Sequence, residues 1–511
     1  MFNVVLCLCL FLAVINGAKI LGVFMTPSFS HQQVFQPVWK ELSLRGHQVI
    51  VYTPSPLNEK SLTNLTEYDL NFSYEVFRNY SNFEDTDSAP NDELMQILLA
   101  CVKASEAQLN HPFLQDLLKN VNKDTYDLLI VEYFWQPYYA LKEIYKVPMV
   151  GLLSFPLSIT TADVVGLEKH PVVDPEFLLD FSFAKNFKQR LQSWLFNWAY
   201  RVFFQYKVTP IFDDQIRKYF GNDMKSATQL TNEVELVIGS SNFALDNLKA
   251  RNGKYVAVSS LHVQPIQPLP KDLGEYLDKL KTDVIYFSLG TNVKSSKIAK
   301  NVMDTIIKVL GSLPYTILWK SDLVNLPKNI HKNFYIRKWY PQQDLLGHEK
   351  VKLFITQGGC QSIDEAMDRG VPMLIMPVFG DQPANADKCV NKGIAEMVNI
   401  YDFTEEEFRI KLSMLLTTSS YKSNIIQQGK IVRDQPLPAV DTAIFWIEYV
   451  IRHKGASHLQ PATLTLPFYQ YHLLDVYLFV AFVLYLFIYI SKKVIFGVLK
   501  LFKLNTKQKI A

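Results

Sequence analysis

The chain has 511 residues, 49% hydrophobic and 20% charged, with a formal charge of +3 at pH 7. That length holds two domains or more, and the composition is globular, which sets aside a disordered chain. A near-neutral charge with no basic stripe interleaved with aromatics sets aside nucleic acid as a partner.

In chain order, MFNVVLCLCLFLAVING is a short apolar run ending in small residues. It predicts a secretory signal peptide over residues 1–18, cut near Gly17 or Ala18. KILGVFM then reads as a strand, residues 33–44 as an amphipathic helix with Val34, Val38 and Leu42 on one face, and HQVIVYT as the next strand. Three sequons, at Asn64, Asn71 and Asn79, cluster in a polar stretch expected to be a surface loop of a glycoprotein. Cys7 and Cys9 leave with the signal, and Cys101, Cys360 and Cys389 are too scattered for a disulfide framework or a metal site. No other His/Cys/Asp cluster has ligand spacing, so no metal is expected.

DLLIV from Asp127 and VPMVGLLS from Val147 are short apolar runs of the kind buried in parallel sheets, and residues 160–235 read as helices rich in aromatics. Pro265, Pro268 and Pro270 mark a linker at 266–281, after which the rhythm restarts. DVIYFSLG, YTILWK, NFYIRKWY, KLFITQG and PMLIMPV are strand candidates alternating with helices, one of them over 298–311. Two successive doubly wound α/β domains follow, at 19–265 and 282–455, the second with crossing helices. Residues 473–496 are apolar enough to span a membrane, and nothing globular follows them. Lys492, Lys493, Lys500, Lys503, Lys507 and Lys509 carry the rest of the chain with no acidic residue. They place the tail at 497–511 in the cytoplasm and the body in the lumen. Lys507 and Lys509, fifth and third from the end, resemble dilysine signals for the endoplasmic reticulum, and a solvated basic tail would look the same.

Doubly wound sheets bind ligands beyond the carboxyl ends of their strands. His31 follows the first strand, Gly290 and Thr291 follow DVIYFSL, and Gln357, Gly358 and Gly359 follow KLFIT. Within FITQGGCQSIDEAMDRG the paired glycines end a strand and open a helix, which leaves bare amides suited to an anion, in first instance a phosphate.

Read in order, SFSHQQVFQPVWKELSLRGHQVIVYTP, WYPQQDLLGHEK, FITQGGCQSIDEAMDRGVPMLIMPVFGDQPANA and DQPLPAVDTAIFWIEYVIRHKGASHL resemble the UDP-glycosyltransferase family, in particular its membrane-anchored animal, invertebrate branch. The resemblance covers nearly the whole chain. It implies two facing Rossmann-like domains of GT-B type, the second holding a UDP-sugar co-substrate and the first an acceptor, followed by one C-terminal transmembrane helix. By position, Trp339 matches the uracil-stacking tryptophan, Gln342 a nucleoside contact, and Glu365 the carboxylate on the ribose hydroxyls. Gly359, Gln361 and Ser362 match the phosphate-contacting turn, with Gly290 and Thr291 opposite. Asp381 and Gln382 match the pair on the sugar hydroxyls, and the glutamine resembles members that use hexoses.

Two positions depart from the common pattern. Gln357 stands where histidine is usual; its amide can donate but cannot carry charge toward a phosphate. Glu132 stands where an aspartate orients the catalytic histidine, one methylene longer. His31 matches that histidine, and an imidazole at a helix start is favoured in its neutral, proton-accepting form.

The resemblance implies a detoxifying, metal-independent and inverting UDP-glucosyltransferase of the endoplasmic reticulum membrane that acts on small lipophilic acceptors. A homo-oligomer is compatible with it. The rival class is a membrane-tethered binder of nucleotide sugars or lipophiles that has lost catalysis, for which Gln357 and Glu132 are the motive. The stretch from about 60 to 235, which should shape the acceptor pocket, carries no motif that names the acceptor.

Overall fold

The structure is a computed structural model and describes residues 17–80, 93–120, 125–246, 252–291, 293, 295, 298–323, 327 and 330–508. Residues 1–16 of the expected signal peptide, Ser81 of the third sequon and Lys509 of the basic tail lie outside the described residues.

Thirteen described strands form two parallel sheets. The first contains β1 (Lys19–Val23), β2 (Gln48–Thr53), β3 (Leu65–Asp69), β4 (Leu128–Glu132), β5 (Met149–Leu153), β6 (Leu236–Ser240) and β7 (Tyr255–Val258), in the order β3-β2-β1-β4-β5-β6-β7. The second contains β8 (Val284–Ser288), β9 (Thr316–Lys320), β10 (Phe334–Arg337), β11 (Val351–Thr356), β12 (Met373–Ile375) and β13 (Ala395–Met397), in the order β10-β9-β8-β11-β12-β13. Every residue of β4, β5 and β8 is buried, as continuous apolar runs require when helices cover both faces of a sheet. Alternate residues feed opposite cores: Leu21, Val23, Leu129 and Val131 pack on one face of the first sheet, and Ile20, Leu128 and Ile130 on the other.

Four strands, β3, β6, β7 and β13, go beyond the sequence reading. β3 is an edge strand with no fully buried position, β7 and β13 have four and three residues, and β6 follows a helix-rich stretch from which periodicity does not separate it. The first helix spans Phe29–Leu44, four residues longer than expected at its start. Its apolar stripe toward the core begins only at Val34, whereas Phe29, Ser30 and Gln33 at its start line a cavity. His31 therefore belongs to its first turn and does not precede the helix.

Asn64 and Asn71 sit in turns, just before β3 and the helix Ser73–Tyr80, as expected of a loop, whereas Asn79 lies within that helix. All three asparagines are exposed, while Ser73 is buried and donates to the Leu70 carbonyl at 2.7 Å. The expected linker contains the helix Lys271–Lys279, whose Leu273 and Leu277 are fully buried in the core of the second sheet. The helix Ala439–His453 follows the second sheet in sequence yet packs on the first: Ala443, Ile444, Ile447 and Val450 join Ile20, Val34 and Val38.

Both sheets belong to one compact unit that ends at Gln460. A second unit, from Pro461, carries the helix Leu474–Gln508, in which Leu474–Leu499 is long and apolar enough to cross a membrane.

Candidate active site in the cleft

In each sheet the strand order reverses between the first and fourth strands, β1/β4 and β8/β11, and the chain leaves those neighbours in opposite directions. A crevice opens at such a reversal. His31 follows β1, and Glu132 is the last residue of β4. Gly290 follows β8, and Gln357 follows β11.

His31 Nδ1 lies 3.2 Å from Glu132 Oε1. Glu132 is buried, and its Oε2 accepts the amides of Thr26 at 2.9 Å and Met25 at 3.2 Å, which fix the carboxylate. The longer glutamate thus reaches the imidazole. With the Nδ1 proton directed at Glu132, Nε2 keeps its lone pair. The imidazole is about a quarter exposed and stands 5.7 Å, centre to centre, from the Phe155 ring.

On the opposite side, one cavity of about 360 Å³ is lined by Gly290, Thr291, Trp339, Gln342, Gln357, Gly359, Gln361, Ser362 and Glu365, and also by Phe29, Ser30 and Gln33 of the first helix. Trp339 is half-exposed, with the Phe29 ring against it at 5.1 Å, edge to face. Glu365 is buried and held on both oxygens: Gln342 Nε2 donates to Oε2 at 2.6 Å, and His262 Nε2 lies 3.4 Å from Oε1. Gln342 also donates to Ser362 Oγ at 3.0 Å.

Gly290 has a φ of +78°, and a Cβ there would stand 2.2 Å from Gln357 Nε2. The positive φ favours glycine there, and a Cβ would push the Gln357 amide aside. The helix Cys360–Arg369 is capped by Gly359 with no side-chain bond, so Gln357 does not cap it. The amides of its first turn have no partner within the helix and are suited to an anion. Gln361 reaches across the cleft and donates to the Ser154 carbonyl, beyond β5, at 2.7 Å.

Asp381 and Gln382 do not line this cavity. Gln382 Oε1 accepts the amides of Val378 and Phe379, and Asp381 Oδ2 accepts from Asn385 Nδ2 at 2.6 Å. Asp381 Oδ2 also accepts from Cys360 Sγ at 2.9 Å, so Gln382 braces its own loop and Asp381 ties that loop to the helix Cys360–Arg369.

Lys320 and His262 escaped the sequence reading. Lys320 ends β9; its Nζ donates to the Gly290 carbonyl at 2.8 Å and sits 4.8 Å from the centre of the Trp339 ring. Burial pushes it down to about 8, Asp322 working weakly in the other direction. Its place at a strand's carboxyl end was the available signal. Burial opposes charge on His262, yet Glu365, Asp364 and the Gln361 carbonyl raise its pKa above the usual value. No motif marks it, since it meets Glu365 only in the folded chain.

A second cavity, of about 390 Å³, lies wholly in the N-terminal half and includes Phe134, Tyr139, Phe155, Phe177, Tyr200 and Phe204 in its lining. Phe155 is common to this cavity and to the surroundings of His31. Phe155 thus links the surroundings of His31 to a cavity rich in aromatic side chains, while the cavity beside Trp339 carries Gln342, Gln357, Ser362 and Glu365.

The model of a family described as UDP-glucoronosyl and UDP-glucosyl transferase matches residues 18–508. UDP-glucosyltransferase 2 of Dactylopius coccus is 30% identical over 489 residues, 94% of each chain. UDP-glucuronosyltransferase 2B7 of Homo sapiens is 29% identical over 480 residues, 88% of this chain and 87% of that protein. Among solved structures, the glycotransferase of kitacinnamycin aligns with a TM-score of 0.57 at 19% identity, covering 85% of this chain and 99% of that one. Glycosyltransferase VinC, in complex with DTDP, aligns with a TM-score of 0.55 at 15% identity, covering 85% and 100%. These two establish the GT-B fold.

Proposed function

The chain belongs to the UDP-glucoronosyl and UDP-glucosyl transferase family, and on that premise we propose that it moves a hexose, glucose, from its UDP-sugar to a hydroxyl of a small lipophilic acceptor. The observation that carries this reading is the pairing of His31 with Glu132 at one sheet's reversal, opposite a polar cavity at the other's.

The uracil stacks on Trp339, the ribose hydroxyls meet Glu365, and the diphosphate lies over the first-turn amides with Gln357 beside it. The acceptor occupies the aromatic cavity with its hydroxyl toward His31. Nε2 takes the hydroxyl proton as the oxygen attacks the anomeric carbon. The new carbon–oxygen bond forms as the bond to the phosphate oxygen breaks, and the charge that develops on UDP is stabilised by the amides and by Lys320. Nδ1 stays bonded to Glu132, which stabilises the imidazolium formed in the step. A single displacement inverts the anomeric centre, and no metal enters it.

Glucose is preferred because a UDP-glucosyltransferase is among the relatives; Gln382, which matches the hexose-using pattern in sequence, is turned into its own loop and lends the choice no geometric support. The test supplies UDP-glucose and UDP-glucuronate at equal concentration with a panel of phenols and alcohols. Glucoside should predominate; a predominance of glucuronide would overturn the choice of donor. Absence of transfer from either donor would favour a binding protein.

We further propose residence in the endoplasmic reticulum membrane as a single-pass type I protein. The apolar helix Leu474–Leu499 and the lysine-rich end of the chain support it.

A further inference from the structure

The helix Phe187–Phe203 is inside out. Ser193 and Asn197 are buried at 0% and 4% exposure, while Trp194 and Leu195 are each 52% exposed. Phe187, Leu191, Trp198 and Val202 are exposed as well, and with these two they form one stripe at helical spacing. In a water-soluble helix the apolar stripe faces the core, and an exposed patch of this kind marks a partner.

The charge pattern selects that partner. Between Asp180 and Asp213 the sequence has no acidic residue and five basic ones, Lys185, Lys188, Arg190, Arg201 and Lys207. Among the described residues only Arg201 of these pairs with a carboxylate, Asp163. A second copy of the chain would set these cations against one another across a two-fold interface, which costs energy. A bilayer carrying anionic headgroups takes both features at once: tryptophan and phenylalanine at the acyl boundary, lysine and arginine at the phosphates.

The same helix borders the aromatic cavity. Tyr200 and Arg201 of the helix line it, together with Phe204 and the exposed Gln205 just beyond its end. We propose that Phe187–Phe203 lies in the headgroup layer of an anionic membrane as an interfacial helix and admits lipid-dissolved acceptors to that cavity. The apolar span Leu474–Leu499 keeps such a surface at high local concentration. The entry part of the proposal rests on the assignment of this cavity to the acceptor; the docking part does not.

The test uses the full chain in vesicles containing phosphatidylserine. No tryptophan follows Trp446, so the apolar span is silent in tryptophan fluorescence, and Trp39, Trp135 and Trp319 are buried. Lipids brominated near the headgroup should quench the wild type, and the double variant Trp194→Phe, Trp198→Phe should lose that quenching. A wild type that is not quenched, or a double variant quenched as strongly, overturns docking. Crosslinking of two copies through this helix without quenching assigns the face to a second copy and overturns it equally.

For entry, Leu191→Glu with Leu195→Glu should raise KM about tenfold for a membrane-partitioned phenol, the order of effect expected from lost apolar contact. KM for a water-soluble phenol and for the UDP-sugar should stay unchanged. Equal effects on both phenols overturn entry. A wild type inactive on both phenols overturns the transferase reading, while quenching still decides docking.

Discussion

His31 and Glu132 lie 101 residues apart in sequence and meet at 3.2 Å, because neighbouring strands of a parallel sheet end side by side. His31→Ala should lower kcat by roughly 10² to 10⁴, the contribution of a positioned general base, with UDP binding unchanged in calorimetry. Near-normal turnover would remove the residue from catalysis. Gln357→Ala should weaken UDP-sugar binding by about 1 to 3 kcal/mol, the value of a hydrogen bond to a charged group, while Gln357→His should be tolerated. A loss of thermal stability with constant UDP affinity would instead make Gln357 structural. Lys320 adds a pH dependence. Its amine is neutralised as pH rises through about 8, and a bound diphosphate favours the ammonium, so affinity for the UDP-sugar, whose diphosphate does not itself titrate near neutrality, should be flat below that pH and fall above it. Lys320→Met should weaken UDP-sugar binding and flatten the profile; an unchanged slope would assign the titration elsewhere.

The segment between Gly166 and the helix Phe187–Phe203 runs for about twenty residues without a regular element, and a buried ion pair holds it. Glu176 is fully buried, and its Oε2 accepts from Lys169 Nζ at 3.1 Å and from the Ile159 amide at 2.9 Å. Burial raises the carboxyl's pKa, and Lys169 opposes that rise. Lys169→Met should leave an uncompensated buried carboxylate and cost about 3 to 5 kcal/mol, whereas adding Glu176→Leu should restore most of it. Thermal inactivation half-lives of both variants check this; a double variant as labile as the single one would refute it. Nothing local announced the pair, since a lysine and a glutamate seven residues apart in an irregular stretch read as surface charges. The long apolar runs behaved differently: β1, β2, β4, β5, β8 and β11 were legible because burial on both faces leaves a run of hydrophobic residues. β3 and β13 were not, because edge strands keep polar residues and take their pairing from neighbours.

At the scale of the whole molecule, a type I orientation places everything before the apolar span on one side of the membrane. Protease added to sealed microsomes should therefore remove only the C-terminal tail, and digestion of the body would overturn that orientation. The sequence by itself determined the α/β rhythm, the two halves and the apolar span, along with the glycine turns and polar residues around the donor cavity. Those features are written in local periodicity and in positions a few residues apart, and their physics is local. Only the tertiary structure decided that Glu132 reaches His31 in spite of its extra methylene, and that Glu365 is held between Gln342 and His262. It also turned Gln382 into its own loop, tied Asp381 to Cys360 and Asn385, set Lys320 beside Trp339, and fixed which residues of the helix Ala439–His453 pack on the first sheet. Each of these depends on which residues distant in sequence share a strand end or a helix face, and that is fixed by sheet order and packing rather than by any neighbouring residue.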